Sequence, residues 1–373
     1  MVLISGLIKT ESVLRQNKIF QVTPDIDKSD IESVVKYLES GGWLTEHTVA
    51  EELNQNISSF VNRNYSTAVP NGTIALYLAL LSAGIKKGSK VAVPNLTMIA
   101  TINSVIWADA TPVLVDVDEN LCMSYDKLCE LNDIDAVIFV PLNGRTGDGE
   151  KIEKWCQKNE ILLIEDSAHA LGSNYSKKSC GSLGDISIFS FTPHKIITMG
   201  QGGMILTNNK KLHENIMDLK TFNRQKDKLD WHKGFGLNFK ITDLQASIGL
   251  SQFKKLEKYI DAKKNNWKLY KDLIKSKNVS FKNFNNYETP WFFDILINSV
   301  ENKNILVETL SENSIETRDC YPALSFQSYL NEYEKTDLSL SESISDRILW
   351  LPSSNNLKEE EIIKISNLIN STI

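Results

Sequence analysis

The chain has 373 residues, 42% hydrophobic and 24% charged, with 47 acidic against 41 basic side chains and a formal net charge of −6. That length suits about two domains of ~150 residues each, and a chain of this size buries enough surface to fold without a disulfide or metal staple. The acidic balance excludes a generally basic nucleic-acid binder, no apolar run reaches the ~20 residues of a membrane span, and Met1–Lys9 has neither a basic n-region nor a cleavage site, so a soluble cytoplasmic protein is expected.

From about residue 70, short apolar runs alternate with helical stretches. Val91–Pro94, Pro112–Val117, Ala136–Leu142, Ile161–Ile164, Ile186–Phe191 and Gly203–Thr207 lack strict polar alternation, as expected of strands covered on both faces in a mostly parallel sheet. Asp148–Lys158 fits a crossover helix, so the pattern is βαβ and the class α/β. After about residue 240 the texture changes. Thr242–Ile260 has helical period behind a Thr/Asp cap, and a lysine-rich helix follows from Ala262 to about Ser276. Then come a strand (Trp291–Ile297), a helix (Asn302–Asn313), an extended piece (Ile315–Cys320) and a last helix (Lys358–Ile369). The predicted organisation is a large domain over 1–250, including the N-terminal segment, and a smaller α+β domain over 251–373.

The five cysteines (Cys122, Cys129, Cys156, Cys180, Cys320) form no C-x-x-C pair and the five histidines show no H-E-x-x-H spacing. Thiols in a reducing compartment are the plain reading, and no metal site is expected.

Four features fall on loops around strand ends, where open α/β sheets bind ligands. Asn71-Gly72-Thr73 opens an apolar helix, and free N–H groups at a helix start suit a phosphate, although Asn-Gly is equally an ordinary turn. Asp166 follows the run Ile161–Ile164 in Glu165-Asp166-Ser167-Ala168-His169; a carboxylate there is costly unless paired, and capping the next segment is the alternative. Ser190 ends another strand, five residues before Lys195; a lone lysine there more often simply reaches solvent. Gly200, Gly202 and Gly203 suggest close backbone approach, but they do not form the G-x-G-x-x-G of a dinucleotide site. Together these features fit pyridoxal 5′-phosphate, which needs a lysine, an acid against its pyridine nitrogen and a phosphate cup.

With these residues in hand, the sequence resembles the DegT/DnrJ/EryC1/StrS family of pyridoxal-phosphate sugar aminotransferases, and among them the perosamine-synthase-like members. The resemblance runs in order through Gly41–Thr45, Asn71–Leu76, Ala110–Val117, Glu165–Gly172, Gly181–Phe191, Lys195–Gly203, Asn238–Ala246 and Arg318–Pro322. It implies an aspartate-aminotransferase-like fold of type I with a large seven-stranded sheet, and a homodimer with shared active sites. Lys195 would be the catalytic lysine that carries the cofactor, Asp166 would meet the pyridine nitrogen, and His169 would lie near the ring hydroxyl. Gly72, Thr73 and Ser190 would hold the phosphate, joined by Asn238 from the partner subunit. Dehydratases related to this family carry a histidine in place of the lysine; here His194 precedes a retained Lys195, which favours transamination.

Three departures bear on the substrate. Met98 stands where many members stack an aromatic on the cofactor, and its polarizable thioether could pack there. Pro141–Arg145 replaces a His-Leu-Tyr-Gly type of segment, so that Arg145 is expected near the site mouth, suited to bidentate phosphate contact. Leu324 replaces a histidine close to the sugar. Arg145, His194, Arg318 and Tyr321 are the candidate substrate residues. The resemblance implies transfer of an amino group from L-glutamate, through pyridoxamine 5′-phosphate, to a keto carbon of a nucleotide-linked keto-deoxysugar for surface polysaccharide. The alternatives are a small phosphorylated ketone in capsule or polysaccharide biosynthesis, motivated by Arg145 and Leu324, and a non-catalytic cofactor-binding regulator.

Overall fold

The computed structural model describes residues 18–373, so the stretch Met1–Lys9 read for a leader lies outside the described residues. Helix α1 (Lys28–Glu39) opens on a capping box: the Asp27 carboxylate accepts the Ser29 N–H, and Asp30 reaches back to the Asp27 N–H. Helix α2 (Thr48–Phe60) follows, and then the chain enters its main sheet.

That sheet is laid down as β1 (Tyr65–Val69), α3 (Gly72–Ser82), β2 (Lys90–Pro94), α4 (Ala100–Trp107), β3 (Thr111–Val115), α5 (Tyr125–Cys129), β4 (Ala136–Phe139), α6 (Gly149–Lys158), β5 (Leu162–Asp166), β6 (Ile186–Ser190) and β7 (Gly203–Thr207), followed by α7 (Lys210–Lys220). The strand order is β1-β7-β6-β5-β4-β2-β3. Neighbours from β3 to β6 pair parallel, whereas β7 runs antiparallel to both β6 and β1. The strands are buried nearly throughout, which is why their sequences lack alternation. Helix α3 is apolar on every side because it is enclosed by β6, β7, α4 and α7. This layering brings the ends of β5 and β6 beside the start of α3.

Helix α8 (Asp243–Phe253) packs back on α1, α2 and the large-sheet core, and the second body comprises α9 (Leu256–Leu273), β8 (Val279–Ser280), β9 (Phe293–Ile297), α10 (Val300–Glu312), β10 (Arg318–Asp319), α11 (Ser339–Ile344), β11 (Ile348–Leu351) and α12 (Glu359–Thr372). Its four strands pair antiparallel in the order β10-β11-β9-β8, with α10 and α12 among the helices packed around them.

Three features depart from the expected organisation. Strand β1 has no counterpart among the predicted runs: among the described residues it is an edge strand paired with β7, far along the chain. The helix expected over Thr242–Ile260 breaks between α8 and α9 at Lys254 and Lys255, where the Lys255 ammonium turns to Asp30 at 2.7 Å and Asp27 at 3.0 Å. The chain also crosses between the bodies more often than a single boundary at 250 implies. Ile19 bridges Ile315, and Gln21 accepts the Ser353 N–H. In the other direction Leu324, Leu330 and Leu338 pack into the core of the large sheet, and Leu114 of β3 exchanges backbone hydrogen bonds with Glu334 and Thr336. No helix among the described residues is long and apolar enough to cross a membrane.

Candidate active site

The site starts at the N-terminus of α3. Asn71 is extended and its side chain accepts the Ile74 N–H at 2.9 Å, leaving the N–H groups of Gly72 and Thr73 in the first turn without an intrahelical acceptor. A Cβ on Gly72 would stand 3.1 Å from Ser190 Cβ, so the glycine lets the end of β6 close on the helix start. Gly203 serves the same turn from the other side: a Cβ there would lie 2.4 Å from the Asn71 carbonyl oxygen. A helix terminus with free donors, a serine beside it and no side chain in the way is an anion seat.

Asp166 ends β5, pairs in register with Ile188 of β6, and is buried. Its Oδ2 accepts from Thr101 Oγ1 at 2.9 Å, and its Oδ1 accepts from the Ala168 N–H at 3.3 Å. Thr97 in turn shares a 3.1 Å hydrogen bond with Thr101. No basic side chain forms a salt bridge with Asp166 among the described residues. Burial pushes its carboxyl above the usual range, while the Thr101 hydroxyl, the Ala168 N–H and the charge of Lys195 oppose that rise.

Lys195 sits on the turn after β6, where its N–H donates to the Thr192 carbonyl at 3.0 Å. Its Nζ lies 4.1 Å from the centre of the Trp291 ring. Burial, with help from the Arg318 charge and against the pull of Asp166, brings the amine down to about 7. His169 stacks on the same Trp291 ring, 4.0 Å between centres at an interplanar angle of 21°. Its Nε2 is 3.5 Å from the Tyr321 hydroxyl, whereas its buried Nδ1 has no hydrogen-bond partner. Burial and the nearby Lys195 and Arg318 charges hold this imidazole well below the ordinary histidine range, so it is neutral.

These groups face one cleft of about 440 Å³. Gly72, Thr73, Asp166, His169, Ser190 and Lys195 line it, and Met98 joins them with its thioether turned to the Ala100 N–H at 3.0 Å. His194, Arg318 and Tyr321 line it too. Arg318 is exposed, stands over the Tyr321 and Trp350 rings, and has no carboxylate partner among the described residues.

Two expected placements need correction, and a third residue stands apart. Arg145 is not at the mouth of the cleft. It is 1% exposed and bidentate to Asp294, at 2.7 Å from Nη1 and 2.6 Å from Nη2, and it also donates to the carbonyls of Lys282 and Asn283. The fork is fully spent on the protein's interior. Leu324 likewise faces the large-sheet core, away from the cleft. Asn238 is exposed and lies outside the cleft of its own chain, bridging Thr221.

Sequence reasoning missed Trp291, Thr97, Thr101 and Gln201, all set around the same cleft or its acid. Thr101 has no local signature, because its role depends on α4 packing beside the end of β5. Trp291 precedes β9 in the other body and reads only as the start of an apolar run.

A family model for the DegT/DnrJ/EryC1/StrS aminotransferase family matches residues 24–370. The chain belongs to that family. GDP-perosamine synthase of Escherichia coli O157:H7 is 34% identical to this aminotransferase over 352 residues, which is 93% of this chain and 96% of that protein. Helicobacter pylori PseC, described as an aminotransferase involved in the biosynthesis of pseudoaminic acid, superposes with a TM-score of 0.89 at 23% identity, covering 95% of this chain and 99% of its own. The PLP form of Spr1654 from Streptococcus pneumoniae superposes at 0.87 with 23% identity, covering 95% and 98%. These two structures share the fold of the aminotransferase, its α/β architecture and mixed seven-stranded sheet included.

Proposed function

We propose that this aminotransferase uses pyridoxal 5′-phosphate to move an amino group from L-glutamate to a keto carbon of a nucleotide-linked keto-deoxysugar destined for a surface polysaccharide. The observation that carries the reading is the convergence on one cleft of a lysine, a buried carboxylate that forms no salt bridge among the described residues, and a helix N-terminus beside a serine. Those residues fit the cofactor. The Gly72 and Thr73 N–H groups with Ser190 would hold its phosphate, Asp166 would face its ring nitrogen, the unpartnered Nδ1 side of His169 and the thioether of Met98 would lie against the ring, and Lys195 would anchor it. Bound there, the cofactor supplies an electron sink for the bonds at the donor carbon.

The rest is done by the chain. The Asp166 carboxylate, kept from water by burial with Thr101 and the Ala168 N–H holding its two oxygens, would hold a proton on a ring nitrogen placed against it. Lys195 Nζ, neutral in part at pH 7, would take the proton from the donor carbon as general base, hold it as the ammonium, and give it up again to the cofactor's reacting carbon as general acid. Arg318, with no carboxylate partner among the described residues, would hold an anionic group of the substrate at the mouth, with His194 and Tyr321 on the same wall. Asn238 would complete the phosphate seat from the partner subunit of a homodimer. Its position outside its own cleft supports that arrangement, as does the apolar stripe Ile31, Val35 and Leu38 along α1, which is 45–59% exposed. The keto sugar nucleotide draws support from the 34% identity to GDP-perosamine synthase. A small phosphorylated ketone has lost both of its motives, since Arg145 and Leu324 are buried away from the cleft. A cytoplasmic location suits such substrates.

Purified protein should be yellow, should bleach with L-glutamate and should regain its colour with a nucleotide-linked keto sugar. A yellow protein that never bleaches would indicate a regulator; turnover of small ketose phosphates alone would overturn the sugar reading.

A further inference from the structure

Trp291 belongs to the second body, yet it touches three parts of the cleft at once. Its indole Nε1–H donates to the His194 carbonyl at 2.7 Å, the residue immediately before Lys195. Its ring carries the Lys195 Nζ at 4.1 Å from the centroid, and it stacks on His169 at 4.0 Å. The Trp291 ring is itself held firmly. Phe292 stacks against it at 3.7 Å, the Trp291 backbone N–H donates to the Asn143 carbonyl at 2.9 Å, and the Trp291 carbonyl accepts from the Lys263 ammonium at 2.8 Å. Lys263 is 1% exposed and forms no ion pair among the described residues; its ammonium donates to the carbonyls of Trp291 and Ser353. Through the Trp291 carbonyl this buried lysine, which also lies over the Phe293 ring, holds the approach to β9 in place.

We propose that Trp291 is a positioning residue for Lys195: its indole N–H clamps the turn that bears the lysine, and its ring face is the seat of the lysine's ammonium whenever that amine is free. The inference rests on the reading of Lys195 as the catalytic lysine, but it concerns the protein's own side chains. An ammonium over an aromatic face within about 6 Å is attracted to the ring quadrupole. The other groups facing Lys195 are Asp166 from the end of β5, which favours the charged amine, and Arg318 from β10, which opposes it. His169, His194 and Tyr321 line the same space. The seat keeps the freed amine beside the site instead of letting its four-carbon stem swing to solvent, and it joins the position of the lysine to that of the second body.

The test uses apoprotein, so it does not depend on turnover. Competitive acetylation across pH, with the Lys195 peptide followed by mass spectrometry, reads the midpoint at which the amine becomes reactive. Trp291→Leu removes both clamp and seat, and its midpoint should fall by about half to one pH unit, the size of a lost cation–π contact. Trp291→Phe keeps a ring but loses the N–H. Its midpoint should stay within a few tenths of wild type, at roughly the resolution of such a contact, while amide hydrogen exchange over residues 192–198 should quicken. A midpoint in Trp291→Leu that is unmoved or raised overturns the seat. Should that variant fail to fold, unchanged exchange in Trp291→Phe overturns the clamp. Failure of the aminotransferase reading would show separately, as holoenzyme that never bleaches with L-glutamate.

Discussion

Arg145 offers the sharpest test of how this structure differs from its sequence. Replacing it with Met removes a guanidinium that makes two charge-assisted bonds to Asp294, donates to two carbonyls, and lies 3.9 Å over the Phe284 ring. The Asp294 carboxylate, 2% exposed, would keep a single donor, Asn143 Nδ2 at 2.8 Å, and its Oδ1 would keep none. Removing one partner of a buried ion pair costs about 3–5 kcal/mol, because the charge left behind is desolvated and unmatched. At 1.36 kcal/mol per decade this is roughly a 10²- to 10⁴-fold loss in the folding constant. Urea unfolding of Arg145→Met should show that loss. The double variant Arg145→Met/Asp294→Leu should be destabilised by less than the sum of the two single changes, since the stranded charge is gone. At a temperature where the single variant stays folded, its KM for the keto sugar should remain within about twofold of wild type, as expected when no substrate contact is lost. The reasoning is refuted by the opposite pattern, an unshifted unfolding curve with a large rise in KM, which would return Arg145 to the substrate.

Three further outcomes test the site. Thr101→Val deletes the hydroxyl donor to Asp166 Oδ2; a hydrogen bond to a charged group is worth about 1.5–3 kcal/mol, so spectrophotometric titration of the apoprotein should show cofactor affinity falling roughly ten- to a hundredfold. Capture of pyridoxal phosphate by apoprotein requires the neutral amine, so its rate should be low in acid, rise with pH and level off with a midpoint of about 7; a midpoint near the ordinary lysine value of 10.5 would contradict the desolvation of Lys195. Gly203→Ala would drive a Cβ to 2.4 Å from the Asn71 carbonyl oxygen, a clash with backbone that should cost about 1–3 kcal/mol and loosen the phosphate seat, both readable by thermal unfolding with and without cofactor.

Much of the large sheet is legible along the chain. The run Gly203–Thr207 coincides with β7, and five other runs overlap β2 to β6 closely, because strands buried on both faces announce themselves by composition. Strands β1 and β11 do not. The first is an edge strand defined by its pairing with β7, and β11 is recognisable only from its neighbours β9 and β10. The break between α8 and α9 is equally invisible locally, since it depends on an ion pair from Lys255 to the head of α1.

The same division runs through the site. By itself the sequence pointed to Asp166, Ser190, Lys195, Gly72 and Thr73, beside strand ends and a helix start, and the fold brings these five to one cleft. A strand's direction and a helix's capping are set by neighbouring residues, so the side chains at those ends point where local order puts them. Only the tertiary structure decided that Trp291 closes on Lys195, that Thr101 holds Asp166, and that Arg145 and Leu324 turn inward. Each of those outcomes depends on a partner distant in the chain, and the energy that selects it, burial of an aromatic face or the pairing of a desolvated charge, exists only once both surfaces have met.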